Sequence, residues 1–344
     1  MKHAGSRLLP IAVSLLLSVV VHPSACVGQV AVVDPNAASS KSVEDLSKAA
    51  LSGSQLQADP PQLLEKAENK DFTREFLAVQ WRPADRIYLY VIRPANVKNP
   101  PLALYLYGHP SDTDRYMDDG WCQRVTSRGY AAVGFVPALT GQRYHDRPMK
   151  KWFVSELQES LGKSAHDVQM VLNYLAERGD VDMNNVGMFG AGAGGTIAVI
   201  AASVDPRIKA IDLLDPWGDW PVWVEKSAVI PDDERPAYLK PEFLKKIAAY
   251  DPVKLLPTLN TARIRINQLD DNESTPVEAQ KKIEGALPAT AEHRRFGSNT
   301  AFFSEVASGG RIFDWLKLQI KVPDAKVREA KKEASPGAVS ESAK

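Results

Sequence analysis

Cysteine is nearly absent from this chain: Cys26 and Cys122 are the two in 344 residues. That excludes a disulfide framework, so the fold must rest on its apolar core. Cys122, in Gly120-Trp121-Cys122-Gln123, reads as a small buried side chain rather than a reactive thiol. A surplus of charge is lacking as well, with 42 basic against 42 acidic residues and a formal net charge of zero. No bulk electrostatic force recommends nucleic acid or an anionic membrane as a partner. Histidines number six, none in a close ligand spacing such as His-x-x-x-His. His109, His145 and Asp146 with Asp215 or Asp219 would have to assemble from distant loops, so no metal is expected, and no other cofactor. Internal repeats are missing too.

The longest apolar run, Leu8 to Val21, is too short to span a bilayer comfortably. It follows the basic start Met1-Lys2-His3-Ala4-Gly5-Ser6-Arg7 and precedes the small residues of His22-Pro23-Ser24-Ala25-Cys26. This is the layout of a secretory signal over residues 1–25, and the expected location is exported, periplasmic or extracellular. Membrane attachment would require lipidation at Cys26, and Pro23 is unlike a lipoprotein signal.

What the chain does contain is 44% hydrophobic residues, enough for one large α/β domain of about 250 residues. Residues 26–70 are rich in Ala, Ser, Gln and Asp and read as a partly disordered leader with one short helical pattern from Val43 to Leu51. Phe72–Arg82 and Arg86–Arg93, rich in β-branched and aromatic residues around Pro83-Ala84-Asp85, predict an antiparallel hairpin. Leu102–Tyr107 and Ala131–Val136 predict a third and a fourth strand, with a helix near 118–127 between them. A long helical stretch follows from Trp152, with Ser164 as a plausible cap inside it. Ile208–Leu214, Arg263–Leu269 and His293–Phe296 predict further strands, and Arg311–Ile320 a closing helix. Residues 218–257, crowded with Pro and Trp, predict a lid over the carboxyl ends of the strands. The tail 323–344 has no core-forming residues and reads as disordered.

The centre of this pattern is Val186-Gly187-Met188-Phe189-Gly190-Ala191-Gly192-Ala193-Gly194-Gly195-Thr196, running into the apolar stretch Ile197–Ala202. A β-type run, a glycine cluster and an alanine-rich run predict strand, very tight turn and packed helix. The stretch resembles the nucleophile elbow of the α/β-hydrolase superfamily, Gly-x-Ser-x-Gly, here Gly190-Ala191-Gly192-Ala193-Gly194. The likeness covers residues 71–322 and is closest to the dienelactone-hydrolase and acetyl-xylan-esterase branch. It implies an α/β-hydrolase fold: a mostly parallel sheet with an N-terminal antiparallel hairpin, helices on both faces, and the lid inserted after strand 6.

Carried over position by position, the resemblance puts the nucleophile at Gly192, which has no side chain to attack with. The histidine position falls on Asn299, in Gly297-Ser298-Asn299-Thr300, and an amide is no base near neutral pH. The acid falls on Asp271, or on Asn272, in Asp270-Asp271-Asn272, a cluster that reads equally as a solvated Asx turn. The oxyanion loop maps to Gly108-His109-Pro110 and the second donor to the Ala193 amide, while Trp217, with Trp220 and Trp223, suits either a ligand wall or an anchor for the lid. Ser111, Thr196 and Ser298 are nearby hydroxyls that read as caps or turn residues. A dinucleotide fingerprint through Gly190, Gly192 and Gly195 with Asp212 is disfavoured, because the turn follows four earlier strands. The expectation is therefore an exported pseudo-hydrolase holding a small acyl, carboxylate or sugar-like molecule in a lidded pocket. Its alternative is an active ester hydrolase that uses a non-standard nucleophile, or a water activated by Asp271 with His109 or His145.

Overall fold

Alternation of side chains along the strands dictates the layering. In the computed structural model, Leu102, Leu104 and Leu106 of one strand join one apolar cluster, whereas the intervening Ala103 and Tyr105 join another. Ala131, Val133 and Phe135 of the next divide from Ala132 in the same way. Both strands are buried along their whole length. A strand apolar on both faces needs cover on both sides, and helices supply it. The helices Leu157–Arg178 and Ala193–Val204 lie against the first cluster, Asp119–Thr126 and Arg311–Gln319 against the second.

The structure describes residues 44–108, 113–140, 143, 153–259, 263–307 and 311–321. Its sheet has nine strands: β1 Gln62–Glu68, β2 Phe72–Gln80, β3 Arg86–Pro94, β4 Pro101–Leu106, β5 Ala131–Phe135, β6 Asp182–Ala191, β7 Ile208–Leu214, β8 Arg263–Leu269 and β9 Glu292–Phe296. They are ordered β1-β2-β3-β5-β4-β6-β7-β8-β9. The first three and the β3–β5 pairing are antiparallel, and the remainder is parallel. The mostly parallel sheet with its N-terminal hairpin is thus present, one strand longer than expected. β1 lay unseen because QLLEKAE pairs on one side alone and is exposed almost throughout. Its charges protect an open edge rather than fill a core.

The leader expected over 26–70 is accordingly built into the fold from residue 44 onward. Residues 44–51 form turns, not the short helix expected from Val43. Glu44 accepts from Arg82 Nε at 2.6 Å and lies 2.7 Å from His166 Nδ1, and Leu51 N donates to the Gln169 side chain at 3.1 Å. Behind this strap is a buried charge cluster: Asp167 accepts from Arg82, from Arg143 Nη1 at 2.7 Å and from Trp81 Nε1 at 2.8 Å. Arg143 closes it with a fork onto Asp85 at 2.9 and 2.7 Å. Burial pushes the Asp167 carboxyl up, but the two guanidiniums outweigh it and hold it at about 2.

Two further expectations give way. Ser164 is not a cap but sits inside one continuous helix, Leu157–Arg178, where its hydroxyl donates to Ser160 O at 2.6 Å and accepts from Ala138 N at 2.9 Å. The insertion 218–257 forms short helices, Trp220–Lys226, Arg235–Tyr238, Pro241–Ile247 and Pro252–Leu255. They pack beside Leu157–Arg178, Ala193–Val204 and Val277–Gly285, so the segment extends one helical layer. Trp217, Trp220 and Trp223 are almost fully buried, and Trp223 Nε1 donates to Ser274 O at 2.9 Å. The tryptophans anchor the insertion to the core. Cys122 is buried and unpaired by disulfide, and among the described residues no helix is long and apolar enough to cross a membrane.

Candidate functional site

β6 delivers the glycine cluster to the carboxyl edge of the sheet. There the chain reverses within one residue: Gly192 has φ +53 and ψ −122, between Ala191 of the strand and Ala193 of the helix. A side chain is strained at that φ, which is why glycine sits there easily. The helix returns tightly because Gly194 has no side chain, since a Cβ there would meet Leu106 O at 2.2 Å. Gly192 N donates to Leu214 O at 2.9 Å, tying the turn to the end of β7.

Around Gly192 opens a cavity of about 330 Å³, lined by Gly108, Trp217, Asp215, Asp271, Asn272 and Asn299 together with Ala191, Leu214, Leu269 and Ser274. Most of the residues expected from sequence therefore meet in one place. Asp271 holds the backbone of Asn299, whose main-chain N–H donates to Asp271 Oδ1 at 3.1 Å. Asn299 begins the short helix Asn299–Phe302, capped by the Ser298 hydroxyl, which accepts from Ala301 N at 3.0 Å. Gly108 and Ala193 adjoin, with a Cβ on Gly108 falling 3.5 Å from Ala193 N. Amides in the first turn of a helix lack intrahelical partners and suit an oxygen ligand.

Trp217 lines the cavity, and its Nε1 would lie 3.4 Å from a Cβ on Gly192. None of the lining residues comes from 218–257, so the insertion does not roof this cavity as a lid. The reason is packing: its aromatic residues found more apolar surface beside the helices than over a polar opening.

Of the weighed hydroxyls, Thr196 donates to Trp217 O at 2.8 Å and is fully buried, and Ser298 is the helix cap just described. Ser274, which does line the cavity, donates to Asn272 Oδ1 at 2.6 Å. Ser111, His109 and His145 lie outside the described residues. His293 sits on β9 against Gln268 and Glu284, away from the cavity. Asp212 pairs with Arg265 at 2.7 Å in the sheet, which removes the dinucleotide reading. Among the described residues no cluster of metal-ligating side chains forms.

Asp215, weighed from sequence for a metal and, with Asp212, for a dinucleotide, was not expected at this cavity. It follows β7 with φ +42 and is 1% exposed, yet lines the cavity. Leu269 N donates to it at 3.1 Å and Asn272 Nδ2 at 2.8 Å. Burial drives its carboxyl up to about 7 against those hydrogen bonds and the more distant Arg295. The signal was an aspartate directly after the strand that follows the elbow, at the strand ends where ligands bind in such sheets.

Residues 115–212 match the dienelactone hydrolase family model. Among solved structures, acetyl xylan esterase from Paenibacillus sp. R4 is similar at 16% identity and TM-score 0.61, covering 80% of this chain and 91% of that one. Acetyl xylan esterase 1 from Thermoanaerobacterium sp. JW/SL YS485 follows at 13% identity and TM-score 0.57, over 76% and 89% of the two chains. Acylaminoacyl peptidase from Pyrococcus horikoshii is similar at 10% identity and TM-score 0.56, over 77% of this chain and 51% of that one. A comparison with curated protein sequences finds no match. The fold is the α/β-hydrolase fold, and at such identities the structural likeness speaks for the fold alone.

Proposed function

We propose that the protein is an exported pseudo-hydrolase: an α/β-hydrolase scaffold without covalent catalysis, holding a neutral hydroxyl-bearing or acyl ligand above Gly192. The observation that carries this reading is Gly192 itself, at the apex of an intact elbow (φ +53, ψ −122) with Asn299 and Asp271 opposite it in one cavity. Where the superfamily places serine and histidine, this chain offers a hydrogen atom and an amide, and loss of those groups removes acyl-enzyme chemistry. Of the ligand classes considered, a carboxylate is disfavoured, because Asp215 and Asp271 both line the cavity. Like charges there would repel it. A sugar-like ligand suits the same groups, with hydroxyls donating to the carboxylates and a ring face against Trp217.

The test is repair. A Cβ at position 192 would meet Trp217 at 3.4 Å, an ordinary contact, and the positive φ costs about 1–2 kcal/mol, which a serine can bear. The purified mature chain is expected to leave p-nitrophenyl acetate at the buffer rate, and Gly192→Ser with Asn299→His to hydrolyse it on the order of a hundredfold faster. Turnover by the native chain well above background would overturn the reading. Export is supported by the basic start and the apolar run 8–21. Intact mass of the chain secreted from a full-length gene is expected to lack about the first 25 residues, and retention of Met1 would count against it.

A second reading has one observation in its favour. Asp215, raised to about 7 within the cavity, is suited to activating a water at neutral pH. Should the native chain prove active, Asp215→Asn is expected to abolish that activity, and persistence of the activity would point away from Asp215.

A further inference from the structure

A second, larger cavity of about 660 Å³ adjoins the first and shares Ala191, Leu214 and Asn299 with it. Its wall is aromatic: Tyr107, Trp121, Phe189, Phe302, Phe303 and Phe313. The rings meet edge to face or tilted, Trp121 with Phe313 at 5.9 Å and Tyr107 with Phe189 at 5.6 Å. The Arg115 guanidinium lies 3.4 Å over the Tyr107 ring, a flat surface at the same wall. Phe303 is 53% exposed, an unusual loss of apolar burial for a phenylalanine at a cavity.

An apolar space of this size lies in the range of small-molecule sites, about 300–1,000 Å³, and leaving it unfilled forfeits packing. We infer that the ligand is bipartite: a neutral, hydroxyl-bearing head over Gly192 and an aromatic group inserted past Asn299 into the ring-lined cavity. The two compartments call for different chemistry. The first sets Asp215, Asp271 and Asn272 around the ligand, and the second sets aromatic rings around it with Arg115 and Arg124. Aryl groups fit the second better than alkyl chains, because tilted rings and a guanidinium gain stacking and edge contacts beyond area burial. The inference rests on the head-binding reading proposed above and names the rest of the molecule.

The probes are methyl, phenyl and 2-naphthyl β-D-glucoside, with free 2-naphthol, titrated calorimetrically into the mature chain. Affinity is expected to rise from methyl to naphthyl by at least about thirtyfold as the rings are buried. Ile312 lines the aromatic cavity and is absent from the polar one. Ile312→Trp, which fills that space, is expected to cancel the naphthyl gain and leave methyl glucoside unchanged. Phe303→Ala, at an exposed position where folding is not at stake, is expected to reduce the gain several-fold. Equal affinity for methyl and naphthyl glucosides would overturn the inference. So would a gain indifferent to both variants, or 2-naphthol bound as tightly as its glucoside. If methyl glucoside is not bound and Asp271→Asn leaves naphthyl glucoside unaffected, the head-binding reading itself fails, which is a separate result.

Discussion

Replacing Asp167 by alanine is expected to cost about 3–5 kcal/mol, enough to unfold much of the population at moderate urea. The size follows from what is left behind rather than from the bonds lost. Arg82 and Arg143 are 4% and 3% exposed, and both point at this one carboxylate. Without it, two guanidiniums remain in the interior with Glu44 and Asp85 as partial partners. Asp167→Asn keeps the shape but not the charge, and is expected to fall between wild type and alanine. The sign with pH is fixed by the direction of the shift. Because the folded carboxyl is held at about 2, its contribution is fully present above the unfolded value near 4 and is lost as the pH falls toward 2. Urea unfolding at pH 7 and pH 3 checks both points. A loss below about 1 kcal/mol at pH 7 would show that the cluster is replaceable. The strap 44–51 leans on the same cluster through Glu44, so limited proteolysis near Lys48 is expected to accelerate in the alanine variant.

Asp215→Asn should act in the opposite direction above neutral pH. Its carboxyl is raised to about 7 by burial, so the folded chain keeps a proton that the unfolded chain gives up between about pH 4 and 7. Wild-type stability therefore falls across that window and levels off above it. The amide has no such proton to lose. Relative to wild type, the variant is expected to gain on the order of 3 kcal/mol between pH 4 and pH 8, whatever fixed cost its altered hydrogen bonds to Leu269 N and Asn272 carry. Urea unfolding at several pH values measures the difference, and a difference that stays flat with pH would sink the prediction. A stabilising substitution at a cavity-lining carboxylate is also what a site kept for binding rather than for folding shows.

Much of the molecule was readable in one dimension because its signals are local. The turn at Gly192 follows from glycines between a β-type run and an alanine-rich run, and the positive φ there is a backbone demand that such residues meet without a partner. Strands β2 to β9 announced themselves by short runs, most of them apolar or aromatic, ended by turn residues. The parallel pairing of β4 to β9 followed from the helices between them. Gly192, Asp271 and Asn299 also line one cavity, since strand ends in such a sheet lie on one edge.

What remained hidden depends on partners far away in the chain. β1 has almost no buried face of its own and exists because β2 offers it a free edge. The strap at 44–51 reads as leader composition until Arg82, His166 and Gln169 are brought beside it by the sheet and by the Leu157–Arg178 helix. The insertion 218–257 has a lid's composition, and the free energy of burying its two indoles, Trp220 and Trp223, decided that it would thicken a helical layer instead. Asp215 is an ordinary aspartate in sequence, and its proton affinity is raised by burial, against the hydrogen bonds from Leu269 N and the Asn272 side chain. The sequence alone determined the sheet and the glycine turn at Gly192, each a matter of neighbouring residues. Tertiary structure decided which charges are buried and which cavities open, because both depend on the distance between residues remote in the chain.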